Sequence, residues 1–206
     1  TPSTLTVSAA GLTPNDKPYD GTNTATLAIG TPILVGVIGL DFVSLVTSGV
    51  NGSFADKNIG TNKTVNIAGL TLTGANAANY VLTQPTRTAN ITKRPITVTA
   101  ATDTKPYDGT NSSSGFPTLS GGTLAPGDTA PAWTQTFDNR NAGTGKTLTP
   151  AGLVVDGNNG LNYAYTFAAN TSGVITPKSI TVTAITDSKV YDGTTNSAVS
   201  PTITPA

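Results

Sequence analysis

The sequence of 206 residues has no cysteine, no histidine, no methionine and no glutamate. Without His or Cys there is no Ser–His or Cys–His nucleophile, no disulfide framework and no zinc site of the usual ligand types. Without Glu, a helix-rich protein is not expected, because exposed helix faces draw on Glu, Lys, Leu and Ala. Charge is scarce as well. Eleven Lys and Arg balance eleven acids, all of them aspartate, so the formal net charge is zero. A nucleic-acid partner would be met by a basic face, since phosphate neutralisation supplies most of such affinity. Here the densest basic cluster is the doublet Lys93–Arg94, so no nucleic-acid partner is expected. The longest apolar stretch, Ile33 to Val46, is broken by Gly36, Gly39 and Asp41 and is too short to span a bilayer. No membrane insertion is expected in this segment. Nothing at the N-terminus reads as a signal peptide, and the chain opens in mid-pattern, as a piece of a longer protein would.

What the chain does have is threonine, 40 residues of it, with 22 Gly and 14 Pro, and a repeat. Lys17-Pro-Tyr-Asp-Gly-Thr22 returns 88 residues later as Lys105-Pro-Tyr-Asp-Gly-Thr110, and after 84 more as Lys189-Val-Tyr-Asp-Gly-Thr194. Phe54 to Lys63 (FADKNIGTNK) matches Phe137 to Lys146 (FDNRNAGTGK), and Asn79-Tyr80 matches Asn162-Tyr163, both at an offset of 83. Asp41 and Asp128 occupy similar places, each after a Gly-rich stretch. The period divides the chain into residues 1–94, residues 95–178 and an opening fragment of a third repeat at 179–206. The joins, Lys93-Arg-Pro95 and Pro177-Lys-Ser179, are short and contain proline, which limits flexing. A semi-rigid string of beads follows. The third fragment is expected to pack loosely on the second repeat or to pair with a neighbouring molecule's edge strand.

Within each repeat the periodicity is that of strands. Ile96, Val98 and Ala100 alternate with Thr97 and Thr99, as in a strand with one buried and one wet face. Further strands are expected at Leu5 to Ala9, Thr24 to Ile29, Phe42 to Val46, Ser53 to Asp56, Tyr80 to Thr83 and Ile180 to Ala184, with another ending near Ile91. Val65 and Ile67 share one parity and Leu70 and Leu72 the other. Leu148 likewise gives way to Leu153 and Val155, so a turn or bulge is expected at Ala68-Gly69 and at Ala151-Gly152. Pro150 cannot donate a ladder hydrogen bond, which points to an edge there. One helical turn fits, at Ala75 to Ala78. Six or seven short strands per repeat predict an all-β protein of tandem Ig-like antiparallel β-sandwich repeats, arranged as beads on a string.

The Lys-Pro-Tyr-Asp-Gly-Thr box, the later Gly-Thr-x-Lys and the Asn-Tyr pair resemble the YDG repeats of filamentous-haemagglutinin-like bacterial adhesins and related secreted exoproteins. The resemblance covers nearly the whole chain. It implies a repeated all-β extracellular module, secreted or at the cell surface, and supplies neither a catalytic residue nor a defined ligand.

The box residues are the structural candidates: Lys17, Tyr19, Asp20 and Gly21; Lys105, Tyr107, Asp108 and Gly109; Lys189, Tyr191, Asp192 and Gly193. Tyr is expected as a buried ring with a satisfied hydroxyl, Asp as a cap on turn N–H groups, and Gly at positive φ. Asp20, Asp108 and Asp192 are also the calcium candidates, though Ca²⁺ takes six to eight oxygens and each box offers one or two carboxylates. No other cofactor is implied. The recurrent Lys63 and Lys146, with Asn58 and Asn141, pose the question of Lys–Asn crosslinks, against which both lysines sit in Gly-Thr turns expected to be exposed. Thr-x-Thr pairs lie a whole repeat apart, so no ice-binding rank forms. Trp133, the single tryptophan, is expected in the core, and Tyr163, Tyr165 and Phe167 are expected to point inward together. Five Asn-x-Ser/Thr sequons, at Asn51, Asn62, Asn90, Asn111 and Asn170, are the number chance supplies in so polar a chain. No enzyme is expected, since no spacing brings two carboxylates together. The function expected is structural, the stalk or fibre of a secreted surface adhesin or biofilm-matrix protein whose partners are neighbouring repeats. The competing reading is a module binding an extracellular glycan or matrix polysaccharide.

Overall fold

A computed structural model describes residues 1–205. These are all-β, and among them the only helical turn is a 3-10 turn at Ala77–Asn79. Two compact units are present. The first comprises residues 1–97, 119–131 and 153–166, and the second residues 98–118, 132–152 and 167–205.

In the first unit the largest sheet has five strands in the order Lys17–Pro18, Thr86–Thr92, Gly60–Ala68, Asn51–Phe54 and Thr24–Ala25. Its apolar parity is the one read from the sequence, with Phe54, Val65, Ile67, Ala89 and Ile91 buried and the intervening Thr and Asn facing solvent. Val65 stands opposite Phe54, and cross-strand pairs of this kind set the register. The opening strand, Ser3–Val7, lies between Tyr80–Leu82 and Leu34–Val35. A second three-stranded sheet repeats that order with Arg94–Thr99 between Tyr163–Ala168 and Thr118–Gly121. The parity switch at Ala68-Gly69 is a turn into the separate strand Thr71–Thr73, and Gly69 takes φ +81° there. A Cβ on Gly69 would sit 2.1 Å from the Gly49 carbonyl oxygen, so a side chain does not fit.

The second unit is built on the order Thr104–Pro106, Asn170–Thr176, Gly143–Ala151 and Thr134–Phe137. Ala100, Phe137, Leu148 and Ile175 form its core cluster, with Tyr107 packed against it. The third-repeat fragment pairs with itself, Ile180–Thr183 running antiparallel to Thr202–Pro205.

Several expectations need correction. The sheets are mixed, not purely antiparallel. Ser3–Val7 runs parallel to Tyr80–Leu82, and Lys17 and Lys105 enter parallel ladders opposite Ile91 and Ile175. Each parallel pair joins the start of a repeat to its end, and the intervening residues supply the long crossover that parallel pairing needs. Thr24 to Ile29 is two strands. Thr24–Ala25 pairs with the strand Asn51–Phe54, whereas Leu27–Ile29 pairs with Leu12–Pro14, so the chain changes sheets at Thr26. Leu153 and Val155 face solvent and Val154 is buried, the reverse of the expected parity. The Val155 backbone is occupied by an isolated bridge to Thr129, which turns its neighbour Val154 inward. Pro150 sits on a strand with neighbours on both sides. The pairing with Asn170–Thr176 ends at Leu148, however, so Pro150 faces only Gln135 and no ladder donor is missing.

Candidate functional site

The three boxes share one hydrogen-bonded design. In the first, Lys17 Nζ donates to Asp20 Oδ1 at 2.8 Å and to the Thr22 carbonyl at 2.9 Å. The same Asp20 oxygen accepts from the Thr22 backbone N–H and hydroxyl, both at 2.9 Å. Gly21 between them takes φ +82°, a conformation that L side chains adopt at a cost. Lys105, Asp108 and Thr110 reproduce the set at 2.8–2.9 Å. In the third box the bonds to Asp192 recur at 2.9–3.0 Å, and Lys189 Nζ donates to the Thr194 hydroxyl at 2.7 Å. Lysine three residues before and threonine two residues after aspartate are therefore parts of one Asx-type turn. Lys17 and Lys105 also each lie 5.6 Å from an aromatic centroid, Phe54 and Phe137.

This arrangement sets the charge state of the aspartates. At Asp108 the Lys105 hydrogen bond and then the Thr110 donors lower the carboxyl pKa to about 2. Asp192 is lowered by the matching lysine and threonine. At Asp20 burial opposes ionisation, and the Lys17 and Thr22 donors outweigh it, so the pKa again falls. In each calcium candidate, one carboxylate oxygen is thus engaged by an ammonium and two threonine donors. No group of three acidic side chains stands together among the described residues.

The tyrosines of the three boxes differ. Tyr19 is fully buried, Tyr107 is half-buried and Tyr191 is 93% exposed. Burial of Tyr19 comes from residues far along the chain. Its hydroxyl lies 3.2 Å from Asp128 Oδ1, and its ring meets the Tyr163 ring edge-on at a centroid distance of 5.6 Å. Tyr163 donates to the other Asp128 oxygen at 2.7 Å and accepts from the Ala125 N–H at 2.8 Å. The Asp128 side chain is 1% exposed, and Lys57 Nζ stands 3.6 Å from it and 5.8 Å from the Tyr19 ring centroid. A buried carboxylate needs such partners, and this one has two phenols and an ammonium. Burial raises the pKa of both tyrosines, and Asp128 raises it further.

Polar clamps flank this centre. Asn162, buried, accepts from the Ile59 N–H at 3.1 Å and donates to Asn58 Oδ1 at 3.2 Å. Arg94 donates through Nε to the Thr123 carbonyl at 2.6 Å and through a guanidinium nitrogen to the Tyr19 carbonyl at 3.3 Å. Asn162 is held by a turn around Asp156, whose carboxylate accepts the N–H groups of Asn158, Gly160 and Asn162. Burial works against ionised Asp156, and those three donors lower its pKa overall.

A buried ring was expected in all three boxes; Tyr19 is one, whereas Tyr107 is half-buried and Tyr191 exposed, and the sequence did not show what buries Tyr19. Asp128 and Asn162 were legible only as repeat landmarks, Tyr163 as a landmark on an inward face, and Lys57 and Asp156 carried no signal of their roles. The crosslink candidates also sit differently from expectation. Lys146 is buried and Lys63 nearly so, because their ammonium groups fold back onto Asn139 and Asp56, not onto Asn141 or Asn58. Trp133 is buried in the second unit, as expected. Of the aromatic triplet, Tyr163 is buried and Tyr165 half-buried, whereas Phe167 is exposed. No described helix is long and apolar enough to cross a membrane.

Comparison with known proteins places this design in a family. No curated protein and no solved structure matches the chain. The YDG domain matches residues 1–89 and again residues 92–172. Together these stretches cover most of the sequence, and the chain belongs to the YDG domain family, with the domain present twice.

Proposed function

We propose that this chain is a run of structural modules from the stalk or fibre of a secreted bacterial surface adhesin or biofilm-matrix protein, of the filamentous-haemagglutinin-like kind. On this reading each YDG repeat is an Ig-like bead, the beads follow one another at short proline-containing joins, and the protein works outside the cell without catalysis. The observation that carries it is the burial of Tyr19 against Asp128 and Tyr163, with Asn162 clamping the neighbouring Asn58 and Ile59. The box of one YDG match is locked by the Asp-turn and Asn-Tyr pair of the next. A lock made of repeat landmarks can recur at every junction, and that is what a load-bearing string of modules requires. A Thr-rich chain of zero net charge without Cys or Met suits an oxidising medium.

The second reading, a module that binds a glycan or matrix polysaccharide, is favoured by one observation, the exposed rings of Phe116 and Phe167. It is the weaker one, because Trp133, the single tryptophan, and Tyr163 are buried.

Small-angle scattering on arrays of increasing repeat number separates the two. A stalk gives a maximum dimension that grows in proportion to the number of repeats. Arrays that collapse or flex freely overturn it. A binder shows saturable retention on a polysaccharide that substitution of Phe116 or Phe167 abolishes.

A further inference from the structure

The backbone of the box lysine is where the beginning of each repeat is tied to its end. In the second repeat Thr104, Lys105 and Pro106 stand opposite Val174, Ile175 and Thr176 in a parallel ladder. At its two ends, Val174 N–H donates to the Asp103 carbonyl at 3.0 Å and Tyr107 N–H to the Thr176 carbonyl at 2.8 Å. The Thr176 hydroxyl adds a longer bond to the Lys105 carbonyl at 3.4 Å. The first repeat is built the same way. Lys17 and Pro18 stand opposite Ile91 and Thr92, Tyr19 N–H donates to the Thr92 carbonyl at 2.8 Å, and the Thr92 hydroxyl reaches the Lys17 carbonyl at 3.4 Å. Where the second repeat holds Val174 by a backbone carbonyl, the first holds Asn90 by the Asp16 side chain. That carboxylate accepts the Asn90 N–H at 2.7 Å and its side-chain amide at 2.8 Å. In both repeats the box strand is a sheet edge, so its proline costs the ladder no hydrogen bond.

The direction of these ladders decides how they carry tension. A pull along the polypeptide reaches the box strand from its N-terminal side and the last strand of the repeat from its C-terminal side. On parallel neighbours those two pulls are opposed along the strand axis, so the cross-strand hydrogen bonds are loaded together, in shear. On antiparallel neighbours joined by a turn, a pull on the two open ends parts the bonds one after another. For the second repeat the whole path, from Pro95 to Pro177, lies within the chain.

We propose that the box and the parallel ladder it enters form a shear clamp that makes each repeat resist extension along the chain, with the box as its stop. The box follows the ladder directly, so it is what the sliding strand would have to drag behind it. Lys105 Nζ closes it into a knot, with bonds of 2.9 Å to both Asp108 Oδ1 and the Thr110 carbonyl. The Tyr107 ring inside that knot packs on the core cluster of Ala100, Phe137, Leu148 and Ile175. The Lys105 ammonium lies 5.6 Å from the Phe137 ring centroid. For Lys105 to slide past Ile175, the knot must move as one body and take the Tyr107 ring off that cluster. Lysine, tyrosine and aspartate thus act together, as ladder residue, core anchor and knot. The inference goes beyond the stalk reading, which rests on the junction at Tyr19, whereas the clamp lies within one repeat.

Single-molecule force spectroscopy of the 206-residue chain tests it. The sequence has no cysteine, so two introduced ones give unique handles. Thr102→Cys with Lys178→Cys loads the box strand and the last strand in shear. Thr134→Cys with Ala151→Cys pulls on the antiparallel pair Thr134–Phe137 and Gly143–Ala151 at its open end, where the two residues stand opposite each other. All four positions are exposed, and a thermal melt of each variant checks that the fold is kept. At one pulling rate the first pair is expected to need at least about twofold the force of the second. Asp108→Ala opens the knot and leaves the ladder in place, and is expected to lower the first force by a larger fraction than the second. Equal forces at the two pairs overturn the proposal. So does Asp108→Ala if it changes neither force, or lowers both in the same proportion as a general loss of stability would. Arrays that grow linearly in scattering while the two forces are equal leave the stalk reading standing and refute the clamp. Arrays that collapse while the first force exceeds the second do the reverse.

Discussion

Tyr19 and Asp128 lie 109 residues apart in sequence and meet with the phenol oxygen 3.2 Å from the carboxylate. Tyr19 is the central residue of the first box, and Asp128 belongs to the turn that follows the second. Their contact turns a sequence period into a physical junction, because the phenol meets a carboxylate and a ring of the next match.

Asp128 is the residue on which this junction depends most. Asp128→Ala leaves two buried phenols and the Lys57 ammonium without their shared acceptor, and is expected to destabilise the first unit by about 2–4 kcal/mol. Tyr19→Phe removes one hydroxyl and keeps the ring, so a loss of about 0.5–1.5 kcal/mol is expected. Urea unfolding measures both. Equal effects of the two substitutions would mean that Asp128 acts only through Tyr19.

Gly21 and Gly109 hold the same box position and the same φ of +82°, yet they differ in surroundings. A Cβ on Gly21 would lie 2.8 Å from the Pro126 carbonyl oxygen, whereas one on Gly109 would meet nothing within 4 Å. Both Gly→Ala changes carry the backbone cost of positive φ, about 1–2 kcal/mol. Only Gly21→Ala adds a clash with backbone, so it is expected to lower the melting temperature clearly more than Gly109→Ala. Equal shifts would show that the junction yields at no cost.

Stability is expected to depend on pH at both extremes. The box aspartates have pKa values lowered by folding, Asp108 to about 2 from 3.8. Their stabilising effect is therefore complete above the unfolded value and is lost as pH falls from 3.8 toward about 2. Asp108→Asn is expected to flatten that acid limb, and added salt to weaken it, since the Asp108 turn is solvent-exposed. At the alkaline end Tyr19 and Tyr163 titrate above the ordinary tyrosine value, so their stabilisation holds below pH 10 and is lost as pH rises beyond it. Tyrosinate absorbance recorded with circular dichroism is expected to show these two residues ionising only as the fold opens.

Calcium is expected to leave the thermal midpoint unchanged, measured in millimolar Ca²⁺ against EDTA. The reason is local. Asp20, Asp108 and Asp192 each give one oxygen to a lysine ammonium and two threonine donors, which a cation would have to displace. A rise of several degrees would mean that the lysines move aside and the aspartates join a metal site.

Much of this was legible in the residues themselves. The absence of His, Cys, Met and Glu, the alternation of Ile96, Val98 and Ala100, and the recurrence of Lys-x-Tyr-Asp-Gly-Thr determined an all-β chain of repeats with a fixed local turn. These are short-range properties. A strand's parity and an Asx-type turn depend on side chains within a few residues, so a linear reading finds them. Even the lysine and threonine of the box have their partners inside six residues of chain.

Tertiary structure alone decided the rest. The repeat period named Asp128, Asn162 and Tyr163 as landmarks but carried no information on which surface they would cover. That choice is made by desolvation, since a phenol and a carboxylate leave water only where their hydrogen bonds can be exchanged for one another, and this happens across 109 residues at Tyr19. The reversed facing of Val154 and Leu153 has the same origin, in a bridge to Thr129 that no local pattern encodes. Parallel pairing of Lys17 with Ile91 likewise comes from bringing the start and end of a repeat together, a long-range closure on which the local sequence is silent.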